Sequence, residues 1–136
     1  PVFAARPPMT LGLRGLGAFP SATRPRVLWC GVDGDVAALD DCARACTAAL
    51  HLAGFPVDNR LYRAHCTAGR PRQPWPVHAH EQWTRLAEEE PTTPAFFADR
   101  AVLYESLAAP AGVRHVPRDA LPFDTVRAAA VRGPLS

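Results

Sequence analysis

The amino-acid sequence predicts a single α+β domain, spanning residues 1–136, in which antiparallel sheets are flanked by helices. Of its 136 residues, 48% are hydrophobic and 21% are charged, a balance typical of one globular domain with a packed core. In several segments apolar and polar residues alternate, as they do in β-strands. In two others apolar residues recur with the 3.6-residue period of a helix. The connections between them have hairpin length, which favours an antiparallel sheet over a doubly wound parallel one.

Three segments in the first half of the chain are predicted as strands. Residues 9–19 alternate and end in glycines, and residues 26–32 form an apolar run after a loop rich in Pro, Ser and Thr, so the two predict a hairpin. Residues 59–70 alternate again. The Pro-rich run at residues 71–76 ends this third strand, because proline cannot donate a hydrogen bond to a sheet.

Two helices are predicted between and after these strands. The first covers residues 36–53 and is closed by Gly54, and the second covers about 78–90 and ends before Pro91. Trp83, Leu86 and Ala87 are expected on the buried side of the second helix. The apolar stripe of the first helix consists of Val36, Leu39, Cys42, Ala43, Cys46, Leu50 and Ala53.

The last third of the chain predicts a long or bent strand at residues 95–107, a turn at 110–112 and a returning strand at 113–117. The Ala-rich tail after Pro122 predicts a short helix. Trp29, Phe96 and Phe97 are expected in the core, although an aromatic side chain at the rim of a site could stack on a base.

Composition excludes several classes of protein. No run approaches the ~18–20 apolar residues of a membrane span, and the first residues lack the layout of a secretory signal, so we expect a cytoplasmic protein without a membrane partner. The net charge of +2, carried by fifteen Arg and no Lys, is too small to favour duplex DNA by electrostatics alone. Arginine still favours bidentate contact with phosphate.

The four cysteines do not predict a metal site. They stand at positions 30, 42, 46 and 66 without a CxxC pair or matching His spacing, which excludes a zinc finger. Cys42 and Cys46 are one helical turn apart, a spacing that favours packing on one face of the first helix over redox or metal chemistry.

The most pointed cluster of polar residues lies on the third predicted strand. Alternate residues of a strand share a face, so Arg63, His65 and Thr67 should project together. A guanidinium, a proton-exchanging imidazole and a hydroxyl donor together predict an anion site. The alternative is a partly exposed His beside a Thr that merely favours strands. The other face, which we expect to point into the core, consists of Tyr62, Ala64, Cys66 and Ala68.

In order and spacing, several short motifs along the chain resemble those of the RNA 2′,3′-cyclic phosphodiesterases, also called 2′-5′ RNA ligases, within the two-histidine phosphoesterases. The resemblance extends to about residue 118 and departs at Ala64, where the family usually has Pro, and at Ala68-Gly69, where it prefers larger apolar residues. The matching pieces are Gly15-Leu16-Gly17-Ala18-Phe19, Pro25-Arg26-Val27-Leu28-Trp29, Gly54-Phe55, Arg60, His65-Cys66-Thr67 with Arg70, and Val102-Leu103-Tyr104-Glu105-Ser106.

The resemblance implies a two-lobed fold with two His-x-Thr/Ser motifs facing each other across a cleft. Only the second motif, His65-Cys66-Thr67, occurs in this sequence, and none of His51, His78, His80 and His115 fits the pattern. We therefore expect the first motif upstream of Pro1, with the fold incomplete at its N-terminus.

The implied reaction is hydrolysis of a 2′,3′-cyclic phosphate at an RNA end, or on a nucleotide, to a 2′-phosphate, with no metal or other cofactor. Carried over by motif, His65 is the base and Thr67 a phosphate contact, and both are assigned as catalytic. Arg70 and Arg63 are assigned to substrate binding. Arg70 lies five residues after His65, so it shares the face of His65 only if the strand bends at Ala68-Gly69.

Two alternatives remain open at the level of sequence. One is a non-catalytic domain of the same fold that binds an RNA end or a nucleotide phosphate. The other is a small α+β protein in which the His-x-Thr tripeptide is only structural, and which binds no phosphate.

Overall fold

The structure is a computed structural model that describes residues 2–58, 60–110 and 112–124. These residues form six strands and two helices, which confirms the α+β class. In chain order the elements are β1 (Met9–Phe19), β2 (Val27–Gly34), α1 (Val36–Leu52), β3 (His65–Gly69), α2 (Val77–Glu88), β4 (Phe96–Ala98), β5 (Arg100–Ala109) and β6 (Gly112–Pro122).

The chain divides into two compact units, and the division falls inside α1. The first unit comprises Pro1–Met9, Asp41–Asp58 and Phe97–Ser136, and it holds β5, β6 and most of α1. The second comprises Thr10–Asp40 and Asn59–Phe96, and it holds β2, β3, α2 and nearly all of β1. Neither helix in the described residues is long and apolar enough to cross a bilayer.

The sheet of the second unit has the strand order β3-β2-β1-β4, and β2 is antiparallel to both β1 and β3. The predicted hairpin of the first two strands is therefore present. Strand β1 has an irregularity after Arg14, where Gly15 is the extra residue of a bulge and adopts a φ of 70°. Such a left-handed backbone favours glycine, and the N–H of Gly15 turns away to donate to the carbonyl of Pro91 at 2.9 Å.

Helix α1 begins directly after Asp35, which ties the helix start to β1. The N–H of Thr10 donates to the Asp35 carboxylate at 2.8 Å, and the N–H of Asp35 donates to the Thr10 carbonyl at 3.0 Å. The helix ends before Gly54, as predicted from the sequence. Its predicted stripe is covered in the middle, where Cys42 is only 6% exposed, while Leu50 at the C-terminal end is exposed.

The first unit contains a long β5–β6 hairpin and a small aromatic contact. The ring of Phe123, which is 6% exposed, lies 6.1 Å from the ring of Phe3. The N–H of Phe123 donates to the carbonyl of Asp99 at 2.8 Å. In the same unit, the guanidinium of Arg6 forms an ion pair with Asp41 on α1.

Several predicted boundaries need correction. The long strand predicted at 95–107 breaks at Asp99, because its two parts belong to different sheets. Strand β4 is in the four-stranded sheet, whereas β5 pairs along its whole length with β6. The returning strand is longer than predicted for the same reason, since Pro122 still pairs with Arg100. The second helix covers Val77–Glu88 in place of 78–90. The short helix predicted after Pro122 falls on residues 125–136, outside the described residues.

On α2 and β4, three apolar side chains that are predicted to be buried are exposed. Phe96 and Phe97 lie on β4, a three-residue strand at the edge of the sheet, and each exposes about half of its surface, 49% and 50%. Leu86 is 48% exposed. The covered stripe of α2 runs instead through Ala79, His80, Trp83, Thr84 and Ala87.

Candidate functional site

The His-x-Thr motif lies on the edge strand of the four-stranded sheet. His65 is the first residue of β3 and pairs with Gly31 of β2, and Thr67 pairs with Trp29. Residues that pair across antiparallel strands share a face, so His65 and Thr67 project from the same face as Trp29. Both are exposed, and the structure therefore presents an imidazole and a hydroxyl to solvent side by side.

The imidazole of His65 is oriented by the backbone just before it. Its Nδ1 atom lies 2.6 Å from the carbonyl oxygen of Arg63. A carbonyl oxygen can only accept a hydrogen bond, so Nδ1 must carry the proton in this contact. In the neutral ring, Nε2 then keeps its lone pair, and it is the nitrogen free to take a proton.

A second contact of the His65 ring is with an aromatic side chain of β1. The rings of Phe19 and His65 form a T-shaped contact, with centroids 5.5 Å apart and planes at 88°. The guanidinium carbon of Arg63 lies 5.8 Å from the centroid of the same Phe19 ring, within the range of a cation–π contact. Phe19 therefore brings the positive charge of Arg63 and the imidazole of His65 to one aromatic ring.

Phe19 is itself fixed by the close packing of Trp29. The two rings stack with centroids 5.1 Å apart and planes at 29°. Trp29 pairs with Gly17 across the sheet, and its indole occupies the space that a side chain at position 17 would need. The glycine thus makes room for Trp29, Trp29 supports Phe19, and Phe19 contacts His65.

A bulge in β3 lies between Thr67 and Arg70. Between the pairs Trp29–Thr67 and Leu28–Gly69, β2 advances by one residue and β3 by two, so Ala68 is the extra residue. An extra residue exchanges the faces of all positions that follow it. Arg70 directly follows the last residue of β3, where no pairing with β2 fixes its face, and it is exposed. The irregularity that the assignment of Arg70 requires near Ala68-Gly69 is present.

The predicted regular strand around the motif is wrong in two respects. Residues 61–64 are not part of a strand, so Arg63 is brought near His65 by Phe19 and the turn of the backbone, not by strand alternation. Cys66, Tyr62 and Ala68 are predicted in the core, yet all three are exposed, while Ala64 is partly covered. The reason is that β3 is short and lies at the sheet edge.

Phe19 is the site residue that sequence reasoning missed. The signal available in the sequence is an aromatic residue at the end of a strand, and it does not reveal which residue lies across the sheet.

Of the other histidines, His115 lies in the first unit, where its Nδ1 is hydrogen-bonded to the hydroxyl of Ser106 at 3.0 Å. Arg63 and Arg70 are both exposed.

Comparison with known proteins supports the resemblance. The chain is 33% identical over 105 residues to a curated protein of Geobacillus stearothermophilus named RNA 2′,3′-cyclic phosphodiesterase, a match that takes in 77% of this chain and 32% of that protein. The chain thus spans about a third of the length of this relative. No protein-family profile matches the chain.

The fold has a counterpart among solved structures. The crystal structure of TT0787 of Thermus thermophilus is similar with a TM-score of 0.68 and 19% sequence identity. The match covers 91% of this chain and 65% of that one. At this level of identity, the similarity concerns the fold.

Proposed function

We propose that this chain carries one half of the acid–base pair of an RNA 2′,3′-cyclic phosphodiesterase with a two-histidine phosphoesterase fold. The single observation that carries the proposal is the geometry of His65, whose Nδ1 is held by the Arg63 carbonyl at 2.6 Å and whose Nε2 is thereby left as a base. The similarity to a relative of that name and the exposure of the His-x-Thr motif support it.

In the proposed reaction, Nε2 of His65 takes a proton from the attacking water. The water oxygen forms a bond to phosphorus, the bond from phosphorus to the 3′-oxygen breaks, and the product is a 2′-phosphate. A second imidazole gives a proton to the departing 3′-oxygen. The residues of this chain need no metal for these proton transfers. The 5′-hydroxyl of a second RNA in place of water would give 2′-5′ ligation.

The remaining site residues are assigned to the phosphate and the nucleotide. The hydroxyl of Thr67, on the same face as His65, donates to a phosphoryl oxygen as negative charge builds on it. The guanidiniums of Arg63 and Arg70 are assigned to the negative charge and the sugar–base portion of the substrate. Arg63 is already placed within 5.8 Å of the Phe19 ring that contacts His65.

This sequence contains one His-x-Thr motif, so the chain alone is expected to bind a cyclic phosphate and to turn it over weakly or not at all. Binding without turnover is also the second candidate function, that of a non-catalytic domain for RNA ends. The observation that favours this second candidate is that the His-x-Thr motif occurs once in this sequence.

Binding of a nucleoside 2′,3′-cyclic phosphate without added metal tests the proposal. Titration by calorimetry should show that His65→Ala and Thr67→Ala each weaken binding several-fold. The matched control is His51→Ala, because His51 is an exposed histidine at the end of α1. Equal binding by all four proteins, or no binding by the unmodified chain, would refute the assignment of the site.

A further inference from the structure

A positively charged groove is formed by loops that adjoin β1 and β3, the strands of Phe19 and the His-x-Thr motif, and it is not used by the reaction just described. It is an open groove of about 580 Å³ in the second unit, formed by the loop between β1 and β2 and the loop after β3. Its principal lining residues are Thr23, Arg24, Arg26, Arg72, Gln73 and Trp75.

The charge of the groove has a single sign. Three arginines line it, and its lining includes no acidic residue. None of Arg24, Arg26 and Arg72 forms an ion pair with a residue that the structure describes, and all three are exposed. By contrast, Arg6, Arg14, Arg44, Arg100 and Arg118 are each paired with a carboxylate. The guanidiniums of the groove are therefore available to an anionic ligand.

The groove also contains an aromatic face. Trp75 is partly buried, and its ring meets that of Trp83 on α2 edge-on, with centroids 5.9 Å apart and planes at 82°. The contact with Trp83 fixes the orientation of the indole while part of Trp75 lines the groove. A tryptophan held in this way beside unpaired arginines is the combination that binds single-stranded nucleic acid, in which bases stack and phosphates pair with guanidiniums.

Three prolines restrict the backbone of the two loops that form the groove. Pro25, Pro71 and Pro74 are among its lining residues, and proline fixes φ. This restriction reduces the conformational entropy that the two loops lose when a ligand binds.

The groove is connected to the His65 site by a backbone hydrogen bond. The N–H of Arg26 donates to the carbonyl of Phe19 at 2.7 Å. Phe19 is the residue whose ring contacts the imidazole of His65. The residue that holds His65 and a residue that lines the groove are thus directly linked.

We infer that this groove binds a segment of single-stranded RNA, with its phosphates on Arg24, Arg26 and Arg72 and a base stacked on Trp75. The choice of RNA rests on the proposed function, since the RNA chain that precedes a cyclic phosphate end at His65 would occupy the groove. The site recognises the body of the strand and not its cyclic phosphate.

The test uses the 136-residue chain and a fluorescein-labelled oligoribonucleotide that ends in an ordinary 3′-hydroxyl. Binding is followed by fluorescence anisotropy at several salt concentrations. Because the probe has no cyclic phosphate, its binding does not depend on the reaction at His65, and failure of the groove can be told apart from failure of the proposed function.

For the unmodified chain, the logarithm of the binding constant should fall with the logarithm of the salt concentration with a slope near −2, called the salt slope below. Each of three phosphate contacts contributes about 0.7 to the size of this slope for a single strand. Arg24→Gln, Arg26→Gln and Arg72→Gln should each reduce that slope by about 0.7. The matched control is Arg114→Gln, which removes the same charge from an exposed position on β6 and should leave the slope unchanged.

Two variants of Trp75 separate stacking from folding. Trp75→Ala should weaken binding about fivefold to 150-fold if a base stacks on the indole. Trp75→Phe keeps an aromatic face against Trp83, so it should retain most of the affinity while losing the quenching of tryptophan fluorescence by RNA. An oligomer of the same length with abasic sugars should bind the unmodified chain as weakly as RNA binds the Trp75→Ala variant.

Three results would overturn the inference. The first is no binding of the RNA by the unmodified chain. The second is a salt slope that the groove variants change no more than Arg114→Gln does. The third is equal affinity for RNA and the abasic oligomer, or for single-stranded and double-stranded RNA, which would mean that no base is stacked on Trp75.

Discussion

The Nδ1 atom of His65 lies 2.6 Å from the carbonyl oxygen of Arg63, two residues earlier in the chain. This contact assigns the proton of the neutral ring to Nδ1 and leaves Nε2 as the basic nitrogen. Nitrogen-15 NMR of the imidazole should therefore show the Nδ1–H tautomer when the ring is neutral. Observation of the Nε2–H tautomer would remove the orientation on which the proposed role of His65 depends.

Because Trp29 packs over Gly17, we predict that a single methyl group added at position 17 lowers the stability of the fold. In Gly17→Ala, the added Cβ would overlap the indole of Trp29, so we expect a loss of about 1–3 kcal/mol in the free energy of unfolding, the usual cost of overpacking. The measurement is urea denaturation.

The matched control for this prediction is Gly12→Ala on the same strand. Its Cβ would meet the nearest atom at 3.7 Å, an ordinary contact. We expect this variant to be neutral or slightly stabilised, because alanine restricts the unfolded chain more than glycine does. Equal destabilisation by both substitutions would contradict the packing described for Trp29.

The ion pair between Arg6 and Asp41 predicts a pH dependence of stability. The hydrogen bond from the Arg6 guanidinium, with its charge, holds the pKa of Asp41 below its ordinary value of 3.8. A lowered pKa in the folded state means that the pair stabilises the fold above pH 3.8 and that this contribution is lost as the pH falls through the lower, folded value.

Asp41→Asn should therefore lower the melting temperature at neutral pH, and its difference from the unmodified chain should shrink as the solution becomes strongly acidic. Asp40→Asn is the control, since Asp40 forms no ion pair with any residue in the described part of the chain. A difference that stays constant down to about pH 2 would show that the effect of Asp41 is not electrostatic.

The cysteines should react at very different rates. Cys66 is exposed beside His65, whereas Cys42 is 6% exposed and burial raises the pKa of its thiol. Because the thiolate is the reactive form, iodoacetamide at mildly alkaline pH should modify Cys66 well before Cys42. Peptide mass spectrometry over time gives both rates, and the reverse order would be inconsistent with the exposed face of β3.

The elements that can be predicted from the sequence are those with a local signal. Strand β1 has its predicted bounds, and α1 ends within one residue of its predicted end, because alternation, the helical stripe and Gly54 all act within a few residues. The β3 strand is shorter than predicted, because alternation at residues 59–64 does not reveal whether a partner strand pairs with them. Strand β3 has only five residues, His65–Gly69, and they lie against β2.

In the candidate site, too, contacts between neighbours in sequence can be predicted and contacts between distant residues cannot. The shared face of His65 and Thr67 follows from the period of a strand, and the structure places them so. The contact of Arg63 with Phe19 does not follow from any spacing, since these residues lie 44 positions apart and meet through the sheet. The positively charged groove likewise combines two loops that are distant in sequence.

The most direct test of His65 as a base is hydrolysis of a nucleoside 2′,3′-cyclic phosphate in the presence of free imidazole. The sequence provides one motif histidine, and dissolved imidazole can take the place of the second. We predict that the unmodified chain, with imidazole, releases the nucleoside 2′-phosphate faster than imidazole alone, and that His65→Ala does not. Equal rates for the two proteins would contradict the proposed role of His65.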